Sequence, residues 1–163
     1  AAVTDALQKH PWDRSSTHFD LYAGVGLFST SLLQASGGEG SVLAVESDSQ
    51  GAADLAVNLR ESDNARAIQA DVTRFLRDRV SEGRERPGAV VMDPPRQGAK
   101  SEVVSLVSTL RPDLVVYVAC DPVALGRDVG LFSEHGYELA SVEGLDLFPQ
   151  THHMEAVAVL LPQ

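Results

Sequence analysis

Nearly unbroken apolar runs alternate along this chain with segments whose apolar residues recur at helical spacing. HFDLYA (18–23) reads as a strand and LFSTSLLQA (27–35) as a helix. SVLAVE (41–46) reads as a second strand, and QGAADLAVNLRES (50–62) sets Ala53, Leu55, Ala56 and Leu59 at helical period. RAIQAD (66–71) predicts a short third strand, TRFLRDRV (73–80) a helix, and SEGRERPG (81–88) a charged loop. GAVVMD (88–93) and DLVVYVAC (113–120) are strands four and five, with the helix SEVVSLVSTL (101–110) between them. PVALGRDVGLFSEHG (122–136) opens on Pro and closes on Gly, as helices prefer. YELASVEGLDLF (137–148) and HMEAVAVLL (153–161) read as two closing strands. Strands that are apolar throughout are buried on both faces. The pattern therefore predicts an α/β fold: a mostly parallel seven-stranded sheet with helices on both faces. Ligands of such sheets sit beyond the C-terminal strand ends, which here carry Tyr22 to Gly26, Glu46, Asp71, Asp93 and Cys120.

Composition narrows the function classes. The 163 residues, 44% hydrophobic and 22% charged, suit one globular domain with a substantial core. No apolar run approaches the roughly 20 residues of a membrane span. The first residues, AAVTDALQKHPWD, lack a basic start followed by an apolar block. A single cysteine excludes an internal disulfide and a cysteine-based zinc site. These features favour a cytoplasmic location. A net charge of -10 argues against a broad phosphate-binding surface.

The turn DLYAGVGLFS leaves the first strand and enters a helix. Gly24 and Gly26 permit unusual backbone angles and let a ligand lie against the main chain. The same pair could serve only a tight strand–helix turn. A dinucleotide fingerprint would place Gly or Ala where Ser29 stands, which weakens a nicotinamide reading. Glu46 ends the second strand about 20 residues on, where an acid typically binds ribose hydroxyls. Asp71 could accept a hydrogen bond from an adenine amino group, or simply cap the helix after it. Together these residues describe a nucleoside pocket. Its acids suit a cofactor bearing positive charge, such as S-adenosylmethionine, better than the pyrophosphate of a dinucleotide.

The loop MDPPRQGA follows the fourth strand. Pro94 and Pro95 stiffen it, and Asp93 stands at its tip, suited to aiming a carboxylate at a ligand. Cys120 has two readings, a small core side chain or a thiol presented at the sheet edge. The apolar run stops there, and Pro122 starts a helix whose N-terminal dipole favours a thiolate. Asp121 adds opposing charge or caps that helix. Glu155 stands among apolar strand residues, either facing water or acting as a general base of raised pKa. His152 and His153 lack a convincing third ligand and read as loop residues, so no metal site is expected.

DLYAGVGLF, VESD, DPPRQGA, YVACDPVALGRD and LFPQTHHMEAV, in this order, resemble the RNA 5-methyluridine methyltransferase family. The resemblance runs from HFDLYAGVGLF to the end of the chain. It implies a Rossmann-like fold that uses S-adenosylmethionine, with Cys120 as nucleophile and Glu155 as base. It also implies a cofactor site lined by Tyr22, Glu46, Asp71 and Asp93 beside Gly24 and Gly26. The implied substrate is a uridine of tRNA or rRNA. The chain departs from the family at Ala119-Cys120-Asp121-Pro122, where Ser-Cys-Asn-Pro is common, and at Leu27, where Asn is common. The family's upstream glutamine segment and RNA-binding β-barrel are not found, and AAVTDALQKHPWDRSST matches only the helix after that segment. The resemblance thus implies one catalytic domain, 1–163, from a longer protein whose other parts grip the RNA. Two alternatives stay open: methylation of a nitrogen atom or small molecule, and cofactor or partner binding without turnover.

Overall fold

The apolar runs fold into seven strands, and the periodic segments into helices that cover them. The computed structural model describes residues 2–83, 86–145 and 155–163. Helix α1 (Ala2–Lys9) precedes β1 (Thr17–Leu21), α2 (Leu27–Ala35), β2 (Ser41–Glu46) and α3 (Ser49–Leu59). Then come β3 (Ala65–Gln69), α4 (Val72–Ser81), β4 (Ala89–Met92) and α5 (Lys100–Leu110). The chain continues with β5 (Leu114–Ala119), α6 (Pro122–Glu134), β6 (Tyr137–Leu145) and β7 (Glu155–Pro162).

One seven-stranded sheet results, ordered β3-β2-β1-β4-β5-β7-β6. Strands β1 to β5 pair in parallel where they are neighbours, while β7 runs antiparallel between β5 and β6. Every residue of β4 and β5 is buried, which explains why those runs carry no polar alternation. Phe19, Leu21, Phe75, Met92 and Phe132 belong to the core on one side of the sheet. Leu7, Leu32, Val91, Val116 and Val118 belong to that on the other. After β3 the chain crosses over β1 to enter β4. The strand order therefore reverses between β1 and β4, the place where open α/β sheets leave a crevice for ligands.

Two expected strands stop early, and each for a local reason. β1 ends at Leu21 because Tyr22 turns into the left-handed region with φ 63°. β3 ends at Gln69, and Asp71 caps α4 instead of extending the strand. The expected extension of β6 to residue 148 and the start of the last strand at 153 lie outside the described residues, as do His152 and His153. Among the described residues, no helix is long and apolar enough to cross a membrane.

Candidate functional site

The site forms where β1, β2, β4 and β5 end and β7 begins, on one edge of the sheet. The turn after β1 carries three departures from ordinary backbone, at Tyr22 (φ 63°), Gly24 (φ 53°) and Gly26 (φ 95°). A positive φ in a tyrosine costs energy that only the surrounding structure can sustain, and such strain concentrates at functional sites. A Cβ at Gly24 would meet nothing within 4 Å, so the main chain there lies open to a ligand. A Cβ at Gly26 would come within 2.7 Å of Leu55 Cδ1, so this glycine serves close packing against α3.

Glu46 ties the turn to β2. Its Oε2 accepts from the Gly24 amide at 2.8 Å, and Oε1 accepts from the Asp48 amide at 2.8 Å. An ionised carboxylate has about four lone-pair sites, so both oxygens retain capacity for a hydroxylated ligand. Asp71 accepts from the Arg74 amide at 3.0 Å and so caps α4, while its exposed carboxylate raises the nearby Tyr22 pKa. Burial, with the Asp71 and Asp128 charges adding to it, pushes the Tyr22 hydroxyl up to about 12. Tyr22 is therefore a neutral hydrogen-bond donor at physiological pH.

Beneath this turn lies Asp20, fully buried on β1. Its Oδ2 accepts from Ser29 Oγ at 2.5 Å, while Oδ1 has no partner among the described residues. Burial is the main cause of a pKa raised to about 7, with the Asp93 and Glu46 carboxylates adding to it and the Ser29 hydrogen bonds opposing it. The serine that broke the dinucleotide fingerprint is thus the partner of a buried acid. Asp20 itself escaped the sequence reading, although an acid inside the apolar run HFDLY is a signal that something must satisfy it.

Asp93 follows β4, with its amide held by the Leu21 carbonyl at 3.2 Å. It lies on the exposed side of the loop. Even so, the walls around its carboxyl, with the Glu155 charge adding to them, push its pKa up to about 6. Asp93 and Glu155 line a common cleft of ≈ 490 Å³ together with Val3, Leu27, Phe28, Val118 and Val157. Cys120, partly exposed, is the first residue after β5. It lines a narrow neighbouring crevice with Pro94, Pro95, Gly98, Asp121 and Ala124. The Asp93–Pro94–Pro95 loop contributes to both openings. The last β5–β7 pair is Ala119 with Ala156, so the next residues along the two strands are Cys120 and Glu155. Antiparallel pairing thus brings the two candidates to one level at the sheet edge, although 35 positions separate them in sequence.

A buried network braces this arrangement, and sequence reasoning found none of it. The Tyr117 hydroxyl donates to Asp128 Oδ2 at 2.6 Å, and the Ala99 amide donates to the same oxygen at 2.7 Å. Arg127 donates to Asp128 Oδ1 through Nε at 2.9 Å and Nη2 at 2.8 Å, and Nη2 also donates to the Gln97 carbonyl at 2.7 Å. Asp128 is fully buried, and its surroundings raise the Tyr117 pKa well above the ordinary range, burial being the larger cause. The network locks the loop after β4 to the helix after Cys120. Asp121 accepts from the Ala124 amide at 2.8 Å and so caps that helix, the second of its two readings. No group of three or more His, Cys, Asp and Glu among the described residues could hold a metal ion.

The family model described as tRNA (uracil-5-)-methyltransferase matches residues 8–163. An uncharacterized RNA methyltransferase of Streptomyces coelicolor is 42% identical over 160 residues, covering 98% of this chain and 34% of that protein. Its counterpart in Streptomyces avermitilis is 41% identical over 144 residues, covering 88% of this chain and 32% of that protein. The chain therefore spans about a third of the length of these curated relatives. Among solved structures, the Pyrococcus abyssi tRNA (uracil-54, C5)-methyltransferase in complex with S-adenosyl-L-homocysteine matches with TM-score 0.77 at 24% identity. That match covers 98% of this chain and 37% of that one. Aeropyrum pernix fibrillarin with bound S-adenosyl-L-methionine matches with TM-score 0.77 at 16% identity, covering 98% of this chain and 73% of that one. At these identities the two structures establish the fold, which is the Rossmann-like methyltransferase fold.

Proposed function

Because this chain belongs to the tRNA (uracil-5-)-methyltransferase family, we propose that it is the catalytic domain of an enzyme that methylates carbon 5 of a uridine in tRNA or rRNA. The observation that carries this reading is the shared edge of β5 and β7, where Cys120 and Glu155 follow the last strand pair beside the stiff Asp93 loop. A thiol, a carboxylate base and an acid-lined pocket are the groups that such a reaction needs.

The residues present fit S-adenosylmethionine. Gly24 leaves its main chain open, Glu46 and Asp71 keep acceptor capacity, and behind the turn Asp20 holds a buried carboxyl oxygen that has no partner among the described residues. An acid-rich site of this kind favours a ligand carrying a sulfonium and an ammonium. Tyr22, Gly24, Gly26, Glu46, Asp71 and Asp93 would hold it. When bound, the cofactor supplies an electrophilic methyl group on positively charged sulfur.

The chain's own side chains supply the rest. Carbon 5 of uracil is a weak nucleophile. The Cys120 thiolate adds to carbon 6, and the electron pair released makes carbon 5 an enolate carbon that takes the methyl group. Carbon 5 then carries both the methyl and its original proton. Glu155 removes that proton, the carbon 5–carbon 6 double bond re-forms, and the thiolate leaves with the pair that bound it. The net exchange is one methyl gained and one proton lost at carbon 5.

The test uses the full-length parent, S-adenosylmethionine and RNA containing 5-fluorouridine. Fluorine cannot leave as a proton does, so a denaturation-resistant protein–RNA adduct should accumulate, and Cys120→Ala should give none. Methylation of RNA without any adduct would move the target to another atom. Absence of both methylation and adduct with tRNA and rRNA would leave a binding domain.

A further inference from the structure

An acidic catalytic domain that acts on RNA has to bring a polyanion to an edge carrying Asp93, Asp121 and Glu155. Two cations stand at that edge: Arg96, which lines the Cys120 crevice, and Arg127, which a buried carboxylate holds. Arg127 lies on α6, and its side chain is 49% exposed. Three of its five N–H groups are committed: Nε and one Nη2 hydrogen to Asp128 Oδ1, and the other Nη2 hydrogen to the Gln97 carbonyl. The two donors on Nη1 have no partner among the described residues. Asp128 cannot shift to accommodate Arg127, because its other oxygen is fixed by the Tyr117 hydroxyl and the Ala99 amide. The guanidinium therefore lies clamped against the Gln97–Gly98 turn, and Gly98 forms a wall of the Cys120 crevice.

We propose that Arg127 is a ligand for a phosphate of the RNA backbone beside the target nucleotide, aimed in advance by Asp128 and the Gln97 carbonyl. This rests on the reading of the chain as an RNA methyltransferase. The Nη1 donors share one nitrogen, so the guanidinium offers a phosphate a fixed positive charge and a hydrogen bond from Nη1, not a two-nitrogen fork. Side-chain entropy is already spent in the Asp128 and Gln97 contacts, so little ordering remains when the phosphate arrives. The clamped side chain stays half exposed beside Arg96 on an edge that also carries Asp93, Asp121 and Glu155, so its charge remains available to a phosphate. Asp128 is a positioning residue in this arrangement, acting on RNA through Arg127.

The experiment compares Arg127→Gln and Arg127→Lys in the full-length parent with S-adenosylhomocysteine bound. Binding is measured to unmodified tRNA or rRNA transcript, whichever the methyl-transfer assay selects, across a salt series. Glutamine keeps hydrogen bonding without charge; lysine keeps the charge without the planar contacts to Asp128 and Gln97. The slope of log affinity against log salt should become shallower by about one for Gln and stay at the unaltered value for Lys. RNA affinity should fall roughly three- to tenfold for Gln, with cofactor affinity within twofold of the unaltered protein. Both variants lose the clamp, so the difference in slope between them isolates the phosphate contact even if both lose some stability. Equal slopes in the two variants would overturn the inference and leave the enzyme reading standing. An unaltered parent that neither binds nor methylates RNA would overturn both.

Discussion

Replacing Gly98 with alanine tests whether the buried carboxylate of Asp128 dictates the backbone of the loop after β4. Gly98 has φ +78°, and a Cβ there would crowd Arg127 Nη2 and Asp128 Oδ2, at 2.4 and 2.5 Å, and lie 3.3 Å from Ala124 Cβ. Two costs follow. An L-residue in the left-handed region loses about 1–2 kcal/mol. The methyl must also displace Asp128 Oδ2, which accepts from Tyr117 at 2.6 Å and from Ala99 at 2.7 Å. Losing one hydrogen bond to a charged group costs about 1.5–3 kcal/mol. Together the two costs reach about 2.5–5 kcal/mol. Gly38 provides the comparison, because it has φ +77° and a Cβ there would meet nothing within 4 Å. Gly38→Ala should therefore cost only the backbone component, about 1–2 kcal/mol. Urea unfolding measures both variants, with unchanged m values showing that the transitions are comparable. Thermal midpoints should fall by roughly 10 °C for Gly98→Ala and by a few degrees for Gly38→Ala. If the two substitutions cost the same, the fit of glycine against the Asp128 network contributes nothing and the reasoning fails.

Three further outcomes are expected. Asp20 has a folded pKa of about 7 against an ordinary value of 3.8, so the folded state keeps its proton longer and this group removes stability as pH rises from about 4 to 7. Asp20→Asn cannot ionise, so its unfolding free energy should gain on the unaltered chain across that window, by up to about 1.4 kcal/mol per pH unit. A difference independent of pH would refute a carboxyl held neutral by burial. Glu155→Gln should leave the proton on carbon 5, so a methylated covalent adduct should accumulate with ordinary uridine RNA, visible on a denaturing gel; release at the unaltered rate would remove Glu155 from the reaction. Glu46→Gln should weaken S-adenosylhomocysteine binding by roughly tenfold in calorimetry, the loss of about 1.4 kcal/mol expected from one hydrogen bond to a charged group. Unchanged affinity would limit Glu46 to holding the Gly24 amide.

Much of the candidate site was legible because its residues stand where elements end, and ends are marked locally. The apolar run of β5 stops one residue before Cys120, the Gly24–Gly26 turn interrupts the run after β1, and Pro94–Pro95 close β4. Asp71 reads as a cap or an adenine acceptor and Asp121 as a cap or a charge opposing the thiolate, and in the structure both cap helices. Asp20 was missed although its place in an apolar run was informative. Tyr117, Arg127 and Asp128 were not legible. Tyr117 passes for one more apolar strand residue, and Arg127-Asp128 for an ordinary polar helix face, until Gly98 is brought against them.

The division has a physical basis. Periodicity, prolines and glycines act over a few residues, so from β1 onward the amino-acid sequence alone determined which segments become strands or helices and, to within a residue or two, where the strands before β6 end. Burial on both faces says that a strand is inside, not which strand lies next to it. The insertion of β7, antiparallel, between β5 and β6 is decided by packing the whole sheet, and that insertion is what brings Glu155 level with Cys120. The same holds for the carboxylate of Asp128, whose partners come from β5, the loop after β4 and its own helix. A hydrogen-bond network drawn from three separate segments exists only once the tertiary structure has closed around it.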